Sequence, residues 1–231
     1  MTYWIIFGLF LILSLIISGT LKSKFKKYSR IPLDYNLSGK EVAEKMLREN
    51  GIYGVSVVST PGELSDHYNP LKKTINLSPE VYNGRNVASA AIAAHECGHA
   101  VQHAKGYSWL NLRTTLVPVQ NVSAKILNIM FIALFFGAFA IKGLLSFDTA
   151  LLIIIACYFI FTVFSLITLP VEINASQRAL VWLNSTGITS ASTHSKAKDA
   201  LQWAAYTYVV AALAALASLL YWIAVFAGRR N

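Results

Sequence analysis

Four stretches of this chain are each long and apolar enough to cross a lipid bilayer. A spanning helix needs about 20 mostly apolar residues, and residues 149–169 meet that requirement without a charged side chain. Pro170 follows them and is expected to end the helix, because proline cannot continue a helix without the loss of a backbone hydrogen bond. Residues 2–21 and 204–228 are further candidates, and residues 117–141 are a fourth, with Gln, Asn and Lys in its first turns. Backbone inside a bilayer must satisfy its own hydrogen bonds, so we expect about four transmembrane helices.

The composition agrees with this prediction. Apolar residues make up 55% of the 231 residues, charged residues make up 13%, and the mean hydropathy is +0.50. These values lie outside the range of ordinary water-soluble domains. The two cysteines, Cys97 and Cys157, are too few for the disulfide framework of a small secreted domain. We therefore predict a multi-pass protein of the cell membrane, in contact with the lipid bilayer.

The formal net charge of +9 comes partly from cations that follow the first apolar stretch. Residues 22–30 contain five of the 20 Lys and Arg residues. A cluster of cations directly after a membrane span is explained by the membrane topology and by attraction to anionic lipid headgroups. We therefore expect no nucleic-acid partner. No cation precedes the apolar run of residues 2–21, which favours a retained membrane anchor over a cleaved signal peptide.

Residues 22–113 form the only sizeable polar region and are predicted to fold as a small α+β domain. Ser38 and Glu41 have the spacing of a capping box, which opens a helix. Asn50 and Gly51 are typical of the end of that helix.

Short strands and a second helix are predicted further along the polar domain. Residues 54–60 and 73–77 are typical of strands, and residues 86–104 of a helix that ends at Lys105-Gly106. Two interpretations of residues 73–77 stay open. They form either an edge strand that an extended substrate could join, or an ordinary paired strand.

The helix over residues 86–104 contains the motif His95-Glu96-Cys97-Gly98-His99. Residues four apart share a helix face, so His95 and His99 can bind one ion while Glu96 lies beside it. Zn²⁺ suits these ligands and lowers the pKa of its bound water. We expect Glu96 to accept a proton from that water as it attacks a peptide carbonyl. The alternative is a chance pair of histidines in a core helix, and the Ala-rich approach to the motif favours the metal site.

A catalytic zinc site needs a third protein ligand and an open position. His103 lies on roughly the face of His95, but a rise of about 1.5 Å per residue places it about 12 Å away. Glu172 is the only acidic residue within residues 149–198. A carboxylate ligand must come from a second helix, so we predict Glu172 as the third ligand. The alternative is that Glu172 is an interfacial acid paired with Arg178.

Five segments of the chain carry a family resemblance. They are residues 66–70 (DHYNP), 77–82 (LSPEVY), 94–102 (AHECGHAVQ), 169–172 (LPVE) and 204–209 (AAYTYV). With these segments the chain resembles the bacterial membrane-bound neutral zinc metallopeptidases called YugP-like, over nearly its whole length. The resemblance implies a gluzincin-like zinc-peptidase domain beside membrane helices, with Zn²⁺ as the cofactor. It also implies His95, His99 and Glu172 as metal ligands and Glu96 as the base.

A more distant resemblance concerns residues 172–179. They are similar to the E-x-x-A-D segment of the HtpX-type and CAAX prenyl membrane proteases, in which the Glu is the third zinc ligand. Here Ser176 stands where that pattern has Asp, and Asn174 stands where the YugP-like segment usually has Asp. A carboxylate often orients a ligand histidine in such sites. In this chain an amide or a hydroxyl would take that place.

Four further residues are candidates for stabilising the oxyanion or contacting the substrate. They are His194, Tyr68, Arg178 and His67. Each can supply a hydrogen-bond donor to a developing oxyanion. For His194 the alternative is an ordinary solvated loop histidine.

The predicted topology is consistent with the metal site. His95 precedes the second apolar segment and Glu172 follows the third, so two spans between them bring both residues to the same side of the membrane. Most cations lie on that side, and Lys142, Arg229 and Arg230 lie on the other. The positive-inside rule therefore predicts an active site that faces the cytoplasm.

These observations favour an integral membrane zinc endopeptidase that acts on peptides or membrane proteins. One alternative is a site-2-type intramembrane protease, in which the motif lies on a span and an Asp is the third ligand. A second is a non-enzymatic membrane scaffold with a structural zinc, which would require four protein ligands. The sequence assigns no oligomeric state.

Overall fold

A computed structural model describes residues 2–137 and 146–229, and the described chain is mostly helical with one small sheet. In chain order the elements are α1 (Thr2–Tyr28), α2 (Gly39–Glu49), β1 (Ser56–Ser59), β2 (His67–Asn69), β3 (Thr74–Leu77), α3 (Pro79–Asn83), α4 (Val87–Ala104), α5 (Ser108–Gly137), α6 (Phe147–Ser185) and α7 (Ala191–Gly228). The chain divides into two compact units. The first contains the described parts of residues 1–15, 112–169 and 208–231, and the second contains residues 16–111 and 170–207.

Four helices among the described residues have the length and composition needed to cross a membrane. They are α1, α5 over Ser108–Ile132, α6 and α7. A mostly helical chain with four candidate membrane spans and a small sheet is therefore confirmed. The end of the predicted span 117–141, from residue 138 onward, lies outside the described residues, as do Lys142 and Arg230.

Aromatic side chains hold the first unit together. The hydroxyl groups of Tyr3 and Tyr158 are 2.9 Å apart, and the ring centroids of Tyr3 and Trp222 are 5.2 Å apart. Ile154 and Cys157 are buried next to this group. Tyr and Trp combine a large apolar surface with a polar atom that can be hydrogen-bonded, so they tie helices from distant parts of the chain.

The expectation that the helix of the third apolar segment ends at Pro170 is wrong. Helix α6 continues through Pro170 to Ser185 without a break. Proline removes one backbone hydrogen bond and costs a helix interior about 3 kcal/mol. The residues that follow repay this cost by packing, since Val171, Ala175 and Ala179 are fully buried.

The start and end of α2 are those that the sequence predicts. The Ser38 hydroxyl accepts a hydrogen bond from the Glu41 N–H at 3.2 Å, and the Glu41 carboxylate accepts one from the Ser38 N–H at 2.7 Å. These two bonds form the predicted capping box. Asn50 caps the end of the helix, and Gly51 follows with φ +71°, a left-handed conformation that favours glycine.

The sheet has the strand order β1-β3-β2. Strand β3 pairs in parallel with β1, with Val57 opposite Ile75, and antiparallel with β2, with Tyr68 opposite Ile75. The strand predicted over residues 73–77 is thus the central one, and its interpretation as an edge strand is wrong. Strand β2 was not expected, because three residues are too few to show an alternating pattern.

Helix α4 has the predicted bounds and forms the centre of the second unit. The Asn86 side chain caps its start by accepting a hydrogen bond from the Ser89 N–H at 2.9 Å, and Gly106 follows its end with φ +63°. The residues of its first turns are buried against α2 and the sheet, including Val87, Ala90 and Ala94. An alanine-rich surface lets neighbouring elements approach α4 closely.

Helices α4 and α6 approach each other closely at Gly98. A Cβ atom built on Gly98 would lie 2.5 Å from the carbonyl oxygen of Ala175 and 3.0 Å from its Cα. Real Cβ atoms essentially never come within 2.5 Å of a backbone oxygen, so this crossing requires glycine at position 98. Gly98 lies inside the histidine motif and Ala175 lies three residues after Glu172, so the crossing brings these segments together.

We expect Gly98→Ala to push the two helices apart. Overpacking of a tight contact costs about 1–3 kcal/mol, so the free energy of unfolding should fall by that amount. The affinity for Zn²⁺ should fall at least about 10-fold, the lower end for disturbed ligand geometry. Thermal unfolding and chelator competition on the purified full chain measure both. Gly19→Ala in α1, where the added Cβ meets nothing within 4 Å, is the control, and equal behaviour of the two variants would contradict the prediction.

Candidate metal centre

Three side chains of the second unit converge on one point. The Nε2 atoms of His95 and His99 lie 3.3 and 3.5 Å from Oε2 of Glu172. One possible ligand atom from each of the three residues lies within 4.8 Å of the others. His99 and Glu172 are buried, at 7% and 2% exposure. The structure therefore brings together the three residues that the sequence indicates as metal ligands.

The local structure explains this convergence. His95 and His99 are one turn apart on α4, and their ring planes are inclined at 84° with centroids 4.8 Å apart. Glu172 comes from α6, which crosses α4 at Gly98. Two ligands thus come from one helix and the third from its neighbour, an arrangement that depends on the distance between the helices.

Gln102 determines which ring nitrogen of His99 carries the proton. Its Nε2 donates to the carbonyl oxygen of Val171 at 2.8 Å and to Oδ1 of Asn174 at 3.0 Å. Its Oε1 therefore faces His99 Nδ1, at 3.0 Å, as an acceptor. Nδ1 must donate this bond, so the neutral ring of His99 has its lone pair on Nε2.

This tautomer shows that the site fits a cation. The lone pair of His99 Nε2 faces Glu172 Oε2, which is also an acceptor, at 3.5 Å. Two acceptors in this arrangement require a positive charge between them, either a proton or a metal ion. Two imidazoles and one carboxylate match a catalytic Zn²⁺ site, which keeps its fourth position open. A structural zinc needs four protein ligands, whereas this cluster, among the residues that the structure describes, has three members.

Ser176 and Asn174, the two departures from the family pattern, lie close to the motif histidines. The Ser176 hydroxyl lies 3.0 Å from His95 Nδ1. Asn174 Oδ1 accepts hydrogen bonds from Gln102 and, at 2.7 Å, from Arg178 Nε. Arg178 therefore belongs to the network behind His99.

Glu96 is held beside the cluster by a backbone hydrogen bond. One of its carboxylate oxygens accepts the Tyr68 N–H at 2.9 Å. Burial raises the pKa of Glu96 to about 7. The negative charges of Glu172 and Asp66 act in the same direction, whereas His95 and the Tyr68 N–H oppose them. A carboxyl group with such a pKa can both accept and release a proton near neutral pH.

The remaining predicted residues lie in different surroundings. His67 is exposed, and its Nδ1 lies 2.7 Å from the carbonyl oxygen of Ser65. His194 Nδ1 lies 3.1 Å from the Thr189 hydroxyl. Tyr68, through its backbone N–H, is the one of the four further candidates with a direct hydrogen bond to Glu96.

Sequence reasoning missed Gln102 as the partner of His99. The residue lies three positions after His99, a spacing that brings helix side chains together. A glutamine on the buried face of a helix is uncommon unless its amide is hydrogen-bonded. These two signals together could have identified it.

Comparisons with known proteins give two matches. The profile of a protein family described as "Putative neutral zinc metallopeptidase" matches residues 3–227. The "Putative membrane protease YugP" of Bacillus subtilis (strain 168) is 36% identical over 210 residues, which cover 91% of this chain and 90% of that protein. No solved structure matches the chain significantly.

We expect Gln102→Leu to weaken metal binding. Leucine cannot accept the proton of His99 Nδ1, so the ring loses the bond that sets its tautomer, and loss of such a partner lowers metal affinity about 10- to 100-fold. Chelator competition with Zn²⁺ measures the change. Gln202→Leu, at an exposed position of α7, is the matched control. An unchanged affinity in Gln102→Leu would show that the tautomer is set in some other way.

Proposed function

We propose, from the premise that this chain belongs to the neutral zinc metallopeptidase family, that it is an integral membrane zinc-dependent endopeptidase. Its substrates are peptides or membrane proteins. The observation that carries the proposal is the convergence of His95, His99 and Glu172 beside the buried carboxyl group of Glu96.

Each residue of the cluster has a separate role in this proposal. His95, His99 and Glu172 would hold Zn²⁺, which acts as a Lewis acid and makes water more acidic. Glu96 accepts the proton of the attacking water as the oxygen adds to the peptide carbonyl carbon. When the C–N bond breaks, Glu96 delivers that proton to the departing amine nitrogen.

The arrangement of elements supports a gluzincin-like assignment. The two histidines lie on one helix, the glutamate comes from a second helix, and strand β2 lies beside the base through the Tyr68–Glu96 hydrogen bond. We assign Tyr68 as a contact of the substrate, because its strand is at the edge of the sheet and adjoins Glu96. His67, Arg178 and His194 have no such link to the base among the contacts described above.

The site-2-type alternative places the motif on a membrane span. Helix α4 has 18 residues and is not one of the four candidate spans among the described residues. The third candidate ligand is a glutamate rather than an aspartate. Both observations favour a motif in the polar domain.

Replacing Glu96 by Gln should abolish peptide cleavage while Zn²⁺ remains bound. The amide keeps the size of the side chain but cannot accept the proton of water, and loss of a general base lowers kcat by about 10²–10⁴-fold. Cleavage of a fluorogenic peptide and zinc content of the full chain in detergent are measured together. Glu44→Gln, at a partly exposed position of α2, should cleave as the unchanged protein does. Persisting activity in the Glu96 variant would rule out the mechanism.

The proposed orientation, with the active site facing the cytoplasm, is tested by cysteine labelling. Cys97 is buried and Cys157 lies in a candidate span, so the background reaction is low. A cysteine at the exposed position Lys105, near the end of α4, should react with a membrane-impermeant maleimide only after the cells are permeabilised. Reaction in intact cells would place the site on the outside, and no reaction after permeabilisation would favour a motif inside the membrane.

A further inference from the structure

A cavity of about 390 Å³ lies beside α4 in the second unit. It is lined by residues 51–55 from the loop after α2, by Tyr68 and Lys73 from the β2–β3 hairpin, and by Ala100, His103 and Ala104 from α4. Its volume lies in the range of sites that bind small molecules or large side chains. Of its lining residues, Tyr68 alone has a role in the proposed function.

The α4 wall of the cavity is a continuation of the face that presents Glu96. Ala100 and His103 follow Glu96 by four and seven residues, which is the spacing of one helix face. A rise of about 1.5 Å per residue places Ala100 about 6 Å and His103 about 10 Å along the helix from Glu96. An extended peptide advances about 3.3 Å per residue. The cavity is therefore within about three substrate residues of the general base.

Tyr68 connects the cavity to the base directly. Its backbone N–H donates to the Glu96 carboxylate, and its hydroxyl lies 2.7 Å from His103 Nδ1. One residue thus contacts both the base and the wall of the cavity. A peptide that reaches Glu96 along β2 passes this residue.

The lining of the cavity is mostly apolar. The polar atoms Tyr68 Oη and His103 Nδ1 satisfy each other, so they do not require a polar ligand. The aliphatic lining residues are Ile52, Val55, Ala100 and Ala104. Lys73 is the only Lys, Arg, Asp or Glu among the lining residues, and it is exposed. Such a surface gains most from burying an apolar group.

We propose that this cavity binds a large apolar side chain, such as Phe or Leu, of the substrate close to the scissile bond. The proposal rests on the proposed endopeptidase function and names a preference within it. The protein would then cleave extended segments that carry a bulky apolar residue at one defined position. An acidic preference, set by Lys73, is the competing outcome.

The test compares peptides that differ at a single position. Digestion of a mixed peptide library by the full chain with Zn²⁺ in detergent, followed by mass spectrometry, identifies the position with the strongest side-chain preference. Fluorogenic peptides with Phe, Leu, Ala or Asp at that position then give kcat/KM values. We expect the Phe and Leu peptides to exceed the Ala peptide at least about 10-fold, the lower end for hydrophobic pockets.

Two variants fill the cavity from opposite walls. A Cβ atom at Gly54 meets nothing within 4 Å, and Ala104 is exposed on α4, so Gly54→Leu and Ala104→Leu should fold normally. Each should lower the ratio of Phe to Ala cleavage at least about 10-fold. Ser56→Leu, which adds a side chain in β1 outside the cavity lining, should leave the ratio unchanged. Fluorescence anisotropy measures binding of the Phe peptide to the inactive Glu96→Gln protein. This binding should be weaker in the double variant that also carries Gly54→Leu.

The outcomes separate the two proposals. If zinc-loaded protein cleaves no peptide, the endopeptidase function fails. If it cleaves Phe, Ala and Asp peptides equally, or prefers Asp, the function stands and the apolar pocket is wrong. An unchanged Phe to Ala ratio in both filled variants would also overturn the pocket assignment.

Discussion

The close crossing of α4 and α6 is the contact on which the candidate site depends. Gly98 and Ala175 bring the two backbones so near that no β-carbon fits between them. The ligand residues lie within one turn of this point on each helix. Glu172 lies 3.3 and 3.5 Å from the two imidazoles, so a larger separation of the helices would carry it away from them. Glycine at position 98 therefore serves the geometry of the candidate metal centre more than the conformation of its own helix.

Polar contacts across the same crossing define the orientation of the two imidazole rings. Gln102 and Ser176 each contact Nδ1 of one histidine, which leaves both Nε2 atoms facing Glu172. The Gln102 amide is itself held by the backbone of Val171 and the side chain of Asn174. Because Gln102 is fully buried, an incomplete set of bonds would be costly. The network is consistent with neutral imidazoles that present lone pairs to a cation.

Features that depend on local spacing could be predicted from the sequence, and features that depend on tertiary pairing could not. The capping box of α2, the bounds of α4 and the apolar helices follow from patterns within a few residues of each other. Strand β2 has three residues and is stabilised by its neighbour β3 rather than by its own pattern. The passage of α6 through Pro170 is decided by packing beyond the proline. The candidate ligands could be chosen because few acids lie in the apolar half of the chain. The spacing of Gln102 from His99 could indicate that pair, whereas the partners Val171 and Asn174 on α6, which orient the Gln102 amide, follow only from the tertiary structure.

Two buried carboxyl groups of the same site are given different environments. Glu172 faces two imidazole nitrogens, within 3.5 Å, and is suited to remain an anion that binds a cation. Glu96 lies one residue from His95 but accepts a single backbone N–H, and burial raises its pKa to about 7. A carboxyl group that must give its proton back cannot be a strong metal ligand, and a ligand cannot be easily protonated. Separate environments for groups of the same chemical type are how one site can hold a metal ion and move a proton. In this chain the separation arises because one carboxyl group is on the histidine helix and the other is on the helix that crosses it.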